Sequence, residues 1–159
     1  MSSKMINKRP SWDEYFMKLA RVVMKRADCI RGPRAAIIVK DYRIISTGYN
    51  GTPHGIKNCS EGGCVRCYKR ESGEIKRYQK EESCICIHAE QNAIIQAAYL
   101  GISTKDAIIY LTLSPCSSCA KMIINSGIKR VVYKNSHHDK EGIELLKKAK
   151  IDVISFIKK

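Results

Sequence analysis

The sequence predicts an α/β fold built on a mixed, five-stranded sheet. Three observations carry this. Two short apolar runs, 35–40 and 44–49, flank a tight turn, which is the pattern of an antiparallel hairpin. Beyond residue 88, apolar strand-like runs alternate with stretches of helical periodicity, which implies parallel strands joined by right-handed crossovers. The helical stretches also begin and end on residues that cap helices.

Taken in order, the first helix opens at Pro10-Ser11, with Glu14 three residues later in a capping-box pattern. Trp12, Tyr15, Phe16, Leu19, Val22 and Val23 follow at helical spacing, which predicts a core face. Gly32-Pro33 breaks the chain. Ala35 to Lys40 and Ile44 to Tyr49 are the hairpin strands, joined at Asp41-Tyr42-Arg43. Asn50 to about Ser83 has no clear periodicity and is rich in glycine and cysteine. A connection that long needs something to order it, and bound metal is the natural candidate. A second helix runs from about His88 to Leu100 and stops at Gly101. A strand over Ala107–Leu113 precedes a helix from Cys116 to Ser126, which stops at Gly127. A strand at Lys129–Tyr133, a helix at Lys140–Lys150 with Ile143, Leu146 and Ala149 inward, and a strand at Ile151–Ile157 complete the pattern. Residues 1–159 are therefore expected to form a single domain with a cysteine-rich insert at about 50–84.

Composition narrows the setting. At 159 residues and 44% hydrophobic content, the chain is long enough to bury a core. No run of eighteen apolar residues exists, so no transmembrane helix is expected. The segment from Met1 to Pro10 is polar and basic rather than signal-like, which points to a cytoplasmic location. The net charge of +14 suits nucleic acid or a phosphorylated small substrate. The lysines are dispersed, however, and no arginine-rich or aromatic-interleaved patch appears, so a solvated basic surface is the simpler reading. Eight cysteines in a reducing compartment favour metal over disulfides.

Two motifs carry the chemistry. His88-Ala89-Glu90 is followed by Pro115-Cys116-Ser117-Ser118-Cys119. His88, Cys116 and Cys119 supply three zinc ligands and leave a fourth tetrahedral position open, the mark of a catalytic rather than a structural site. Glu90 is not a ligand and lies two residues from the histidine, close enough to handle protons there. A lone Cys-x-x-Cys is often a redox pair or half of a structural site, and a lone His-x-Glu means little; the conjunction is what is specific. Both motifs open helices, whose N-termini favour the thiolate form that a metal needs.

The order H-x-E, then P-C-x-x-C, is that of zinc-dependent base deaminases. Over nearly its whole length the chain resembles the deoxycytidylate (dCMP) deaminases of the zinc-dependent cytidine deaminase superfamily. The resemblance lies in Lys8-Arg9-Pro10-Ser11-Trp12 through Tyr15-Phe16-Met17, in the run from Ile44 to Pro53, in His88 to Ile94, in Leu113 to Lys121, and in Ser126 to Tyr133. The Gly48-Tyr49-Asn50-Gly51 element separates this family from tRNA adenosine deaminases better than the zinc motifs do. The resemblance implies a three-layer α/β/α sandwich of cytidine deaminase-like type and hydrolysis of dCMP to dUMP and ammonia. It implies substrate or effector contacts at Tyr49, Asn50, Gly51, Ser114 and His137, a homo-oligomer, commonly a hexamer, and activation by dCTP with inhibition by dTTP near Gly48 to Gly55.

The chain departs from the family pattern in two places. Arg34-Ala35-Ala36 stands where a Val-Gly-Ala run is usual; Arg34 is read as a surface residue, with a phosphate contact as the alternative. His137 stands where a tyrosine near the substrate is usual. The six upstream cysteines suggest a second, closed zinc site. By resemblance to relatives with a cysteine-bearing insert, its ligands would be Cys29, Cys59, Cys64 and Cys84. The alternative set joins Cys59, Cys64, Cys67 and Cys84. Cys86, between Ile85 and Ile87, reads as a buried free thiol. His54 is a weaker ligand candidate, and His138 is expected to face solvent. Two other functions compete with deamination of free dCMP: a polynucleotide (tRNA or single-stranded DNA) base deaminase, which the charge would suit, and a non-catalytic zinc-stabilised module, which would have no use for Glu90.

Overall fold

The computed structural model describes residues 9–76, 83–137 and 140–156; His138 and Ile157 lie outside them. The elements are α1 (Trp12–Met24), β1 (Ala35–Lys40), β2 (Arg43–Tyr49), α2 (Val65–Glu71), α3 (Ala89–Tyr99), β3 (Ile108–Leu113), α4 (Ser117–Asn125), β4 (Arg130–Asn135), α5 (Glu141–Lys148) and β5 (Asp152–Ser155). The sheet has five strands in the order β2-β1-β3-β4-β5. The β1/β2 and β1/β3 pairs are antiparallel, and β3/β4 and β4/β5 are parallel. This is the expected mixed α/β sheet: a hairpin first, then parallel strands fed by crossover helices.

Side chains alternate across the sheet with the period of two that a pleated strand imposes. Ala36, Ile38, Ile109, Leu111 and Val131 meet Ala89 and Ala93 of α3, Ala120 and Ile123 of α4, and Leu146 of α5. Ile37, Val39, Tyr110 and Val132 meet Phe16, Met17 and Ala20 of α1. Helices thus cover both faces, which explains why β1 reads as one unbroken apolar run. Asp13 ties α1 to the sheet, accepting from the Tyr110 hydroxyl at 2.7 Å and pairing with Arg130 at 3.0 Å.

The capping box at Ser11 and Glu14 is present. The expected core face of α1 is narrower than its periodicity suggested. Trp12, Tyr15 and Val22 are 45%, 43% and 60% exposed. Among the described residues α1 is the only helix on its side of the sheet, so the line through Phe16, Met17 and Ala20 is buried, with Leu19 and Val23 partly buried beside it. Trp12 instead stacks on Phe16 and on Tyr42. Tyr42 and Asp41 form the hairpin turn, both at positive φ, so β2 begins at Arg43 rather than Ile44.

The insert is more regular than expected. It holds a 3-10 turn at Cys59–Glu61 and the short α2, which is too brief to show periodicity. α5 ends earlier than expected because Lys150 turns into the left-handed region, and β5 is correspondingly shorter.

Two glycines allow the approaches that seat the candidate site. A Cβ on Gly48 would lie 2.1 Å from the Ala89 carbonyl oxygen and 2.4 Å from the Ala93 nitrogen, so β2 touches the backbone of α3. A Cβ on Gly142 would lie 2.1 Å from the Pro115 carbonyl oxygen, so α5 packs against the turn that carries Cys116. Gly51 has open space around it. Gly48→Ala and Gly142→Ala should each cost about 1–3 kcal/mol through overpacking. Gly51→Ala should change stability by less than about 0.5 kcal/mol. Denaturant titration compares the three, and indistinguishable midpoints would remove the close approaches from the account.

Candidate active site

Both motifs sit at helix N-termini on the same face of the sheet. His88 is the N-cap of α3, and its backbone N–H donates to the Gln91 side chain at 3.0 Å. The chain enters this position through a two-way bridge between Ile87 and Gly51. Cys116 is the N-cap of α4, delivered from the end of β3 through Ser114 and Pro115. The Nδ1 of His88 lies 3.6 Å from the Cys116 sulfur and 3.3 Å from that of Cys119. A tetrahedral zinc with nitrogen at about 2.0–2.1 Å and sulfur at about 2.3 Å sets N···S edges of about 3.6 Å. The donor set therefore fits zinc in both chemistry and spacing.

The charges tell the same story. Hydrogen bonding from Cys119, and then His88, holds the Cys116 thiol down to about 3. Cys119 is pushed up by the neighbouring Cys116 sulfur and by burial. The two sulfurs compete for one negative charge, which a divalent cation would relieve. His88 is raised chiefly by its hydrogen bond with Cys116. Glu90, in the first turn of α3, is buried, and burial holds its carboxyl above the ordinary range.

His88, Glu90 and Cys116 line the floor of a cleft of about 170 Å³. Its walls include Cys29, Arg31, Arg34, Asn50, Cys84, Cys86, Ser114 and His137. Asn50 is buried, and its amide bridges the preceding loop: Oδ1 accepts from the Arg34 N–H at 2.7 Å and Nδ2 donates to the Gly32 carbonyl at 3.0 Å. One amide hydrogen and one lone pair remain beyond these bonds. The Ser114 hydroxyl accepts from the His137 backbone N–H at 2.7 Å, which fixes that loop at the cleft. Arg34, read as a surface residue, lines the cleft, as does Arg31, which sequence reasoning missed. The run Arg31-Gly32-Pro33-Arg34, a chain break placed just before a buried strand, was the available signal.

Tyr49 and Gly51 lie elsewhere. With Thr47, His54, Asn92 and Gln96 they line a second cleft of about 380 Å³. His54 is therefore not gathered with the cysteines.

The upstream cysteines converge in two overlapping groups of four, in which Cys59, Cys64, Cys67 and Cys86 are buried, Cys29 is half-buried and Cys84 is exposed. Cys29, Cys59, Cys67 and Cys86 converge, and so do Cys64, Cys67, Cys84 and Cys86. The set Cys29, Cys59, Cys64 and Cys84 is thus split between two groups, and the alternative set with Cys67 is split as well. Cys67 and Cys86 belong to both groups. The physical reason is local. Cys84 and Cys86 stand two apart in the chain, and both sulfurs come within reach of those of Cys64 and Cys67. Cys86 is buried and free of disulfide, as expected, and its sulfur also lies in both groups. All eight cysteines are free of disulfides. Among the described residues, no helix is long and apolar enough to cross a membrane.

Residues 10–135 match the family model described as the cytidine and deoxycytidylate deaminase zinc-binding region. The chain is 40% identical over 149 residues to a deoxycytidylate deaminase of Saccharomyces cerevisiae, covering 93% of this chain and 46% of that protein. It is 40% identical to a deoxycytidylate deaminase of Mycobacterium phage D29, covering 79% of this chain and 95% of that one. The chain thus spans about half the length of the yeast relatives it matches and nearly all of the phage one. The crystal structure of a dCMP deaminase from cyanophage S-TIM5, in complex with dCMP and dUMP, superposes with a TM-score of 0.76 at 31% identity, covering 94% of this chain and 100% of that one.

Asn50→Ala would leave the Arg34 N–H and the Gly32 carbonyl without the partners they have now. It should cost about 1–3 kcal/mol of stability even without ligand. Thermal or urea unfolding measures this, and wild-type stability would show that the 32–34 loop is held by other contacts.

Proposed function

The chain belongs to the zinc-binding cytidine and deoxycytidylate deaminase family, and on that premise we propose that it hydrolyses dCMP to dUMP and ammonia. The observation that carries the reading is the convergence of His88, Cys116 and Cys119 beside the buried carboxyl of Glu90. The similarity to deoxycytidylate deaminases over most of the chain supports the choice of substrate.

His88, Cys116 and Cys119 would hold the zinc, which when bound supplies Lewis-acid activation of water. Glu90 acts as the proton carrier. Its carboxylate takes a proton from the attacking water and delivers it to the ring nitrogen next to the amine-bearing carbon. A second transfer protonates the departing amine, so that ammonia leaves and the carbonyl forms. Burial suits this role, because it holds the Glu90 carboxyl above its ordinary range and so makes it a better proton acceptor. Arg31 and Arg34 suit the 5′-phosphate, and Asn50 offers its remaining donor and acceptor to the sugar. The upstream cysteines hold metal of their own in a structural role. The protein is a cytoplasmic homo-oligomer, a hexamer on the family pattern, serving pyrimidine nucleotide synthesis toward dTMP.

The second cleft is the candidate site for dCTP and dTTP. The Thr47 backbone N–H donates to the Gln96 side chain at 2.7 Å, and the Asn92 side chain donates to the Tyr49 carbonyl at 2.7 Å. Both partners lie on α3, the helix that begins at His88. A ligand that shifts β2 against α3 therefore has a route to the catalytic end of that helix.

Glu90→Gln should retain the catalytic zinc and lose roughly 100- to 10,000-fold in dCMP turnover, whereas His88→Ala should lose that zinc. Ammonia release and metal analysis read the two effects, and full activity of Glu90→Gln would sink the mechanism. A panel of dCMP, dCTP, CMP, deoxycytidine and single-stranded DNA tests the substrate, with dCMP expected to lead; preference for the DNA would move the reading to a polynucleotide deaminase. At sub-saturating dCMP, the rate should rise with dCTP and fall with dTTP, which requires each effector to prefer a different state. Rates indifferent to both would show that the second cleft is not regulatory.

A further inference from the structure

The six upstream cysteines offer more than one closed site. Cys29, Cys59, Cys67 and Cys86 have all four sulfurs within 4.8 Å of one another, and the same holds for Cys64, Cys67, Cys84 and Cys86. Four thiolates at about 2.3 Å from a tetrahedral zinc stand about 3.8 Å apart. The Cys64–Cys84 and Cys67–Cys84 sulfurs are separated by 3.8 and 3.7 Å. A disulfide would bring sulfurs to about 2.05 Å, and none is formed.

A single zinc explains this arrangement poorly. Placed in the first group, it leaves Cys64 and Cys84 as spare thiols against the site. Placed in the second, it leaves Cys29 and Cys59. Cys59, Cys64 and Cys67 are fully buried, and among the described residues the cluster they form with Cys86 has only Cys29 and Ile30 packed against it as further apolar neighbours. It is a core made almost wholly of sulfur, in a segment with little other apolar filling. Two tetrahedra that share the edge between Cys67 and Cys86 use all six cysteines and leave none over.

We propose that these cysteines bind two zinc ions as one binuclear thiolate cluster, with Cys67 and Cys86 bridging, Cys29 and Cys59 terminal on one ion, and Cys64 and Cys84 terminal on the other. The cluster is structural, because both ions are closed by sulfur. It also forms a wall of the catalytic cleft, since Cys29, Cys84 and Cys86 line that cleft together with Arg31. Cys86 precedes His88 by two residues and Cys29 precedes Arg31 by two. Metal binding in the insert therefore fixes the entry to α3 and the loop that carries Arg31.

Elemental analysis of the full chain, expressed with zinc and dialysed, should give about three zinc ions per chain. The Cys116→Ala protein reads the cluster alone and should retain about two, so the outcome does not depend on the catalytic reading. Loaded with cobalt(II), that variant should show the weakened paramagnetism of two ions coupled through shared thiolates. Cys59→Ser should lose one cluster ion, while Cys67→Ser, which breaks both tetrahedra, should lose both. Should either serine variant fail to fold, the metal count and magnetic coupling in Cys116→Ala decide by themselves. One zinc in that protein, or disulfides in place of metal, would overturn the cluster, and two magnetically independent cobalt ions would overturn the bridging.

Discussion

The structure depends on the meeting of two helix N-termini at one end of the sheet. α3 begins at His88 and α4 at Cys116, and the side chains at these two caps must come within a few ångströms of each other for the donor set to exist. Backbone packing sets this, not the donors themselves. Gly48 lets β2 press against α3, and Gly142 lets α5 press against the Pro115-Cys116 turn. The hairpin matters for the same reason: β2 is an edge strand whose far end supplies Asn50 and Gly51, and Gly51 bridges to Ile87, next to His88. A change in the hairpin is thus a change at the catalytic end of α3.

Electrostatics then distinguishes the two groups of sulfur. At the cleft floor, two thiols and one imidazole share a position beside a buried carboxyl, so one side of the site stays open to chemistry. In the insert, both groups of four are made of sulfur alone, with no carboxyl or imidazole among them. The same element, placed with different partners, marks a reactive centre in one case and a substitute for a hydrophobic core in the other. The insert has few large apolar residues with which to build that core, and metal–thiolate bonds contribute folding free energy directly.

What the sequence disclosed follows the range over which each signal acts. His88 and Glu90, and Cys116 and Cys119, are close in sequence and open helices, so their chemistry could be read locally; only their meeting required the fold. The alternation of β1 and β3 across the sheet was equally legible. Where legibility failed, the missing quantity was tertiary. Periodicity identified one face of α1 but not how little of it a single sheet surface would cover, and so Trp12, Tyr15 and Val22 were expected inside. The grouping of the cysteines depends on how α2 folds back on the 84–86 segment, and α2 is too short to announce itself. Arg31 and Arg34 line the cleft on a loop that the Asn50 amide, distant in sequence, holds in place.

That loop joins the two halves of the account. Cys29 belongs to the sulfur cluster, Arg31 and Arg34 face the cleft, and Gly32 and the Arg34 N–H are held by Asn50, all within six residues of chain. The segment has no regular structure of its own, so its conformation is imposed from both ends, by the clustered sulfur of Cys29 on one side and by a buried amide on the other. A cationic pair on a free loop would be a poor phosphate site, because ordering two long side chains and their backbone on binding costs affinity. Anchoring the loop beforehand moves that cost into folding. On this view the cysteine-rich insert is not an appendage to the catalytic domain: it preorganises the part of the cleft that the zinc motif does not reach.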